Sequence, residues 1–356
     1  MSIITILVVI FSMIAAVDRI IGGKFGLAKE FEKGFYLLGT MSLSMIGMIV
    51  ISPVIAELLA PCFEFVYNTL GLDPSVIPAS LFANDMGGAP LSKQVAVDPA
   101  VGMFNALVVS AMMGCTVSFT IPFALTVVKK ESHRELLLGL LCGIVTIPIG
   151  CFFAGIISGL PMKALLINLL PLIILSAAIA CGVLFAPSAC VKIFGAFGTA
   201  MKILITIGLA LGILKFLTGI EPVRGIDDIE NGALVCFNAS IVMSGAFPLI
   251  HVVSKMLSKP LAKLGRAIDI SEKSAMGFVS SLATSATTFE MVNSMDKKGV
   301  MLNSAFAVSG AFTFAGHLAF TLAFDASYIP EMIAGKLIAG VFSVFLAAVI
   351  YKRTCK

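Results

Sequence analysis

The chain has 356 residues, of which 59% are hydrophobic and only 12% charged, and its mean hydropathy is +1.06. Soluble domains carry roughly 25% charged residues, so one water-soluble core is excluded and a bilayer must be the solvent. The net charge of +4 is spread over short loops, which argues against nucleic-acid binding.

Nine apolar runs are long enough to span, at about 3–18, 34–59, 100–128, 136–159, 164–186, 203–220, 231–253, 300–324 and 332–351. The first has no basic residue before it and Arg19 just after, which favours a retained helix with its N-terminus outside over a cleaved signal peptide. Two further stretches are apolar but interrupted. Residues 74–97 contain prolines and Gly87-Gly88, and residues 274–294 contain Thr284-Ser285-Ala286-Thr287-Thr288-Phe289-Glu290. Such residues free backbone groups that hydrocarbon cannot satisfy, so both stretches belong in protein-lined or wet cavities.

The landscape occurs twice. Glu32-Lys33-Gly34 and Glu230-Asn231-Gly232 open apolar segments 198 residues apart; Asn105 and Asn303 keep the same offset, and Pro61 with Pro260 and Gly139 with Gly335 nearly so. The reading is two transmembrane repeats, 1–159 and 203–356, joined by a connecting helix and loop at 160–202. If both interrupted stretches are re-entrant, 19 basic residues face the cytoplasm and 3 face outside; if both cross, the split is 12 to 10. The positive-inside rule selects the re-entrant arrangement, with a cytoplasmic C-terminus. The repeats are then inverted relative to each other. The expected fold is an all-α polytopic inverted-repeat transporter with about nine spanning helices and two re-entrant segments.

Asn84-Asp85 is the sharpest candidate for chemistry, lying midway along the first interrupted stretch. A carboxylate at membrane depth costs several kcal/mol unless paired or hydrated, so Asp85 meets a cation, either a substrate or a partner such as Lys93, or else sits solvated at a mouth. Gly87 and Gly88 lack side chains and would let backbone carbonyls approach a small ligand. In the second stretch, Thr284, Ser285 and Thr287 offer hydroxyls to a small amine or alcohol, and Glu290 a second negative charge. His317, in an apolar run, could bond substrate, relay a proton or bond a neighbouring helix. Asn105 and Asn303 read as interhelical hydrogen-bond donors. Aromatic faces at Phe82 and Phe289 suit a cation.

No G-x-x-x-x-G-K-[ST], H-E-x-x-H or G-x-S-x-G occurs, and the eight cysteines contain no C-x-x-C. No metal or other cofactor is expected, and an enzyme is disfavoured. Residues 254–273 place Leu257, Leu261, Leu264 and Ile268 among basic residues, as in a helix lying along anionic membrane lipids.

These residues also carry a resemblance. Met13 to Ile20 (Met-Ile-Ala-Ala-Val-Asp-Arg-Ile), Asp85-Met86-Gly87-Gly88, the run from Gly143 to Cys151, Ala305 to Ser309, His317-Leu318 and Gly335 to Ile338 are similar to the ethanolamine-utilisation membrane protein family, the ethanolamine permeases of bacteria. The chain departs from it at Gly316, where the family has an acidic residue, and at Thr284-Ser285, where it has two asparagines; Glu290 is the candidate replacement carboxylate. The resemblance implies uptake of ethanolamine or a similar protonated amino alcohol across the bacterial inner membrane, with the ammonium on Asp85 and the hydroxyl on Thr284, Ser285 or His317. A passive channel for small amines or ammonia is the alternative. Glycine-rich faces leave room for a homo-oligomer.

Overall fold

The computed structural model describes residues 3–267 and 269–354, and for Ile4, Val191, Ser254, residues 257–267 and Thr354 the backbone alone. Ile268 and the side chains of Leu257, Leu261 and Leu264, the expected lipid-facing stripe, therefore lie outside the described residues. Among those described, every regular element is helical. The α-helices are α1 (Ile3–Ile20), α2 (Leu27–Leu70), α3 (Val76–Leu81), α4 (Gly88–Val95), α5 (Pro99–Phe104), α6 (Ile121–Val127), α7 (His133–Ile157) and α8 (Met162–Phe185). They continue as α9 (Pro187–Thr218), α10 (Ile229–Ala267), α11 (Glu272–Ala283), α12 (Ser285–Val292), α13 (Lys297–Gly310), α14 (Gly316–Asp325) and α15 (Ile329–Thr354). Between α5 and α6 the chain stays helical but widens into π-helix at Asn105–Gly114 and Thr116–Thr120.

The chain is a multi-pass membrane protein, but the number of spans needs correction. Among the described residues seven helices, not nine, are long and apolar enough to cross: Leu27–Leu70, Pro99–Val127, Lys130–Ile157, Met162–Phe185, Pro187–Thr218, Ile229–Val253 and Gly316–Arg353. The run 300–324 is not one helix. It breaks at residues 311–315, where Phe312 takes a left-handed φ of 62°. Its backbone N–H groups turn aside to α11, Phe312 N donating to Ser281 O (2.9 Å) and Phe314 N to Leu282 O (3.0 Å). The run 3–18 forms α1, whose last turn already carries Asp18 and Arg19, leaving a short apolar length. The segment 187–202, expected as loop, is the first half of α9.

Helix α2 has 44 residues, about 66 Å at 1.5 Å per residue, against a hydrocarbon core of about 30 Å. Its surplus length projects from the bilayer. The turn before it is closed by the buried carboxylate of Asp18, which accepts from the backbone N–H groups of Phe25, Leu27 and Ala28 at 2.8–3.0 Å. Close backbone crossings assemble the bundle. A Cβ on Gly34 would lie 2.5 Å from Ser244 N, and one on Gly232 would lie 3.0 Å from Ile46 Cα. Residues 34 and 46 of α2 thus face 244 and 232 of α10, and the two helices run antiparallel. In the same way Gly150 of α7 meets the Gly335 carbonyl of α15.

Both interrupted stretches are anchored at their bases by a carboxylate. Asp73 accepts from Ser75 N (3.0 Å), Val97 N (3.1 Å) and Asp98 N (2.8 Å). Asp296, capping α13, accepts from Ser271 N (2.8 Å), Ser274 Oγ (2.6 Å) and Gly299 N (3.0 Å). Burial raises the Asp296 pKa, but the hydrogen bonds from Ser274, Ser271 and Gly299 outweigh it and hold the carboxyl below its ordinary value. A carboxyl whose folded pKa is depressed contributes stability above its unfolded pKa, roughly 3.9 for Asp, and loses it as pH falls through the lower folded value. Asp296→Ala is therefore expected to lower stability by about 0.5–2 kcal/mol near neutral pH. In thermal melts the gap from the parent should close as pH drops below about 4. A gap that persists unchanged in acid would show that packing, not the ionised cap, holds this turn.

Candidate functional site

Three interruptions and the π-helical stretch converge on one another. The first interruption runs from Phe82 to Gly87 between α3 and α4 and contains a 3₁₀ turn at Asn84–Met86. It is pinned to the π-helical segment by Ala83 N, which donates to Ser118 Oγ (3.1 Å). Gly88 and Gly114 make that contact possible, since a Cβ on either would fall within 2.2 Å of the Phe82 carbonyl oxygen. The second interruption is the single residue Thr284 between α11 and α12. The third, 311–315, is bonded to the end of α11 as described, and Thr116 Oγ1 ties the π-helix to α13 by donating to Val308 O (3.2 Å). Helix α14 packs on the Asn84–Met86 turn.

Asp85 stands where these elements meet. It lies deep among protein atoms yet keeps some accessible surface. Among the described residues no cation is within ion-pair distance of it. Lys93, the sequence-expected partner, instead lies 5.4 Å from the centre of the Phe324 ring. Among the described residues the charged group within electrostatic reach of Asp85 is Lys336 of α15, inside the expected span 332–351. Lys336 is 1% exposed, and its Nζ donates to the carbonyl of Ala111 in the π-helix (2.7 Å). A lone lysine amid some twenty apolar residues was the available signal.

The expected site residues separate into two groups. Asn84 and Asp85 share the turn against which α14, the helix that carries His317, packs. Asn84 Nδ2 and His317 Nδ1 are both buried without a hydrogen-bond partner, and His317 stacks obliquely on Phe312 with ring centres 5.1 Å apart. Ser285 Oγ is likewise buried and unpartnered. Buried polar atoms are nearly always satisfied, so these orphans mark places where a small polar ligand or water would bond. Met48 fills the space that a Cβ on Gly87 would take, and the Phe82 and Ala83 carbonyls the space beside Gly88. Thr284 Oγ1 caps α12 by accepting from Ala286 N (3.2 Å). Thr287 and Glu290 are exposed, while Ser285, Thr288 and Phe289 of the same helix are buried. Asn105 bonds other elements as expected, donating to Ser75 Oγ (2.8 Å) and Asn168 Oδ1 (2.9 Å).

A cavity of about 470 Å³ leads to this junction between α2 and α9, from Thr40 and Lys202 to Phe82, Met86 and Ser118. Phe82 and Met86 flank Asn84-Asp85, although none of the sequence-expected polar residues lines the cavity itself. The turn offers a carboxylate and an unpartnered amide, and the helix packed on it an unpartnered imidazole, groups that can bond a small cation carrying a hydrogen-bonding group.

A family model described as "Ethanolamine utilisation protein, EutH" matches residues 1–350. The chain belongs to this family. It is 41% identical over 355 residues to a protein of Listeria monocytogenes serotype 1/2a (strain 10403S) named "Probable ethanolamine permease EutH", covering 100% of this chain and 95% of the relative. Identically named relatives from Salmonella typhimurium (strain LT2) and Escherichia coli (strain K12) are each 36% identical over 390 residues, covering 99% of this chain and 96% of theirs. No solved structure matches the chain. Membership of this ethanolamine-utilisation family agrees with the resemblance carried by Asp85-Met86-Gly87-Gly88 and the other motifs, and with the multi-pass helical architecture.

Proposed function

We propose that the chain is a permease that carries ethanolamine, or a similar small protonated amino alcohol, across the bacterial inner membrane. The observation that carries this reading is Asp85: a carboxylate deep in a membrane protein, at a helix break, without an ion pair among the described residues. The substrate's ammonium pairs with Asp85, and its hydroxyl bonds to groups left unpartnered nearby, Asn84 and His317 foremost. The names of the relatives support the substrate class. Uptake of labelled ethanolamine into proteoliposomes tests the reading. A carrier saturates and shows counterflow when preloaded with unlabelled substrate, whereas a passive channel shows neither.

The transport cycle is read as alternating access between inverted repeats. Supporting this, the contact of Gly34 with Ser244 and that of Ile46 with Gly232 exchange under one shift of 198 residues. Reciprocal contacts between antiparallel helices are what a two-fold axis lying in the membrane plane produces. The same shift relates Asp98 to Asp296 and Asp73 to Ser271, which join the bases of the two interrupted stretches. It also carries residue 115, between the two π-helical turns, to 313, inside the 311–315 break. On this reading the N-terminus and Asp98 lie outside, and Lys297 and the C-terminus in the cytoplasm. A single cysteine at Asp98 should then react with an impermeant thiol reagent added to intact cells, and one at Lys297 only after permeabilisation. Labelling in the opposite sense would reject the inverted arrangement.

A further inference from the structure

Lys336 is buried in the same junction as Asp85 and is not needed to recognise a cation; a fixed positive charge there would repel one. The Asn84–Met86 turn brings Asp85, the π-helical stretch Cys115 and the Ala111 carbonyl, α7 Cys151 and α14 His317; α13 brings no charged group among the described residues. Thiols are mostly uncharged at neutral pH. Among the described residues the one formal negative charge answering Lys336 is therefore that of Asp85, at longer than ion-pair range. The π-helix supplies the other partner, the Ala111 carbonyl, which accepts from Lys336 Nζ.

One carboxylate and one ammonium make a neutral buried site. A second ammonium, the substrate's, would leave an uncompensated positive charge in a dry junction, which burial strongly penalises. Neutrality returns if Lys336 sheds a proton. We propose that Lys336 is an exchangeable cation: its ammonium balances Asp85 in the empty carrier, and it loses one proton when the substrate's ammonium binds at Asp85. The Nζ–H bond breaks, the electron pair stays on nitrogen, and the proton passes to water in the access cavity. After the substrate leaves on the other side, the Lys336 amine takes a proton from that side, and the carrier returns loaded with it. The net cycle exchanges one ethanolammonium inward for one proton outward and moves no net charge. This inference rests on the reading of the chain as a carrier for a protonated amino alcohol.

The test uses the full-length protein in liposomes with a pH-sensitive dye trapped inside, at pH about 5.5, where ethanolamine is almost wholly charged. Protein-free liposomes set the baseline for diffusion of the free base. Exchange predicts protein-dependent alkalinisation of the lumen, one proton per ethanolamine, and uptake indifferent to a potassium-diffusion potential. Saturable uptake without alkalinisation, rising roughly tenfold in accumulation per 59 mV of inside-negative potential, overturns the exchange while leaving the permease reading intact. Absence of any saturable uptake overturns the permease reading itself. Lys336→Met is expected to abolish the alkalinisation and make uptake voltage-driven; if it fails to fold, Lys336→Gln, which retains a donor for the Ala111 carbonyl, carries the same comparison. A folded variant that still extrudes one proton per substrate would overturn the assignment to Lys336. Lys336→Arg keeps a charge that cannot be shed, and should abolish uptake.

Discussion

Asp85→Asn is expected to abolish saturable uptake of ethanolamine while leaving a folded protein. Asn keeps the shape of the side chain and removes its charge, so the substrate's ammonium would be stripped of water with no anion to receive it. Removing one partner of a buried charge pair costs roughly 3–5 kcal/mol, which corresponds to two to four decades in transport efficiency. The fold should survive because the counter-charge is dispensable: Lys336 can discharge by losing its proton, and Lys93 does not depend on Asp85, being seated against Phe324. Asp85→Asn should therefore elute and melt close to the parent. Saturable uptake with an unchanged half-saturation concentration in this variant would remove Asp85 from the binding site. Glu290 would not be the obvious successor, since it is exposed on α12.

How much of this site could be read in the chain depends on what kind of signal each part leaves. Membrane class follows from composition, because hydrocarbon tolerates few charges and the sequence contains few. The first interruption was legible because Pro78, Gly87 and Gly88 weaken a regular helix, and Asp85 is conspicuous among apolar neighbours. The 311–315 break was not. It reads Ala-Phe-Thr-Phe-Ala, which hydropathy cannot tell from helix, and only the backbone bonds to Ser281 and Leu282 reveal where the ladder is interrupted. The choice among Thr284, Ser285, Thr287 and Glu290 turned on the rotation of α12, which its short polar sequence leaves open. In the structure Ser285, Thr288, Phe289 and Val292 are buried, and Thr287 and Glu290 face outward. Lys336 was visible as a charge within a span, but assigning it to Asp85 required knowing that α15 crosses the π-helix at Ala111.

The junction's dependence on backbone contact leads to a second large effect, at a residue with no polar group. Gly114 lies in the π-helical stretch directly against the end of α3. A Cβ there would sit 1.9 Å from the Phe82 carbonyl oxygen, 2.5 Å from the Phe82 carbonyl carbon and 2.6 Å from the Ala79 carbonyl oxygen. All three are backbone atoms, so no side-chain rotation relieves the clash; the first interrupted stretch must move away from the π-helix. That motion would carry the Asn84–Met86 turn with it, and would strain the Ala83–Ser118 hydrogen bond that holds the turn's depth. Overpacking of this kind typically costs about 1–3 kcal/mol, and a displacement of about 1 Å can cost 10²-fold where function depends on placement. Gly114→Ala is accordingly expected to reduce ethanolamine uptake by roughly two orders of magnitude and to lower the melting temperature. Gly195 of α9 supplies the control, because a Cβ there meets nothing within 4 Å. Gly195→Ala should leave uptake unchanged and stabilise the helix by up to about 1 kcal/mol through intrinsic propensity. Equal uptake and equal melting in Gly114→Ala and the parent would mean that the α3 end does not rest on the π-helix as described, and that Asp85 is positioned by something other than this contact.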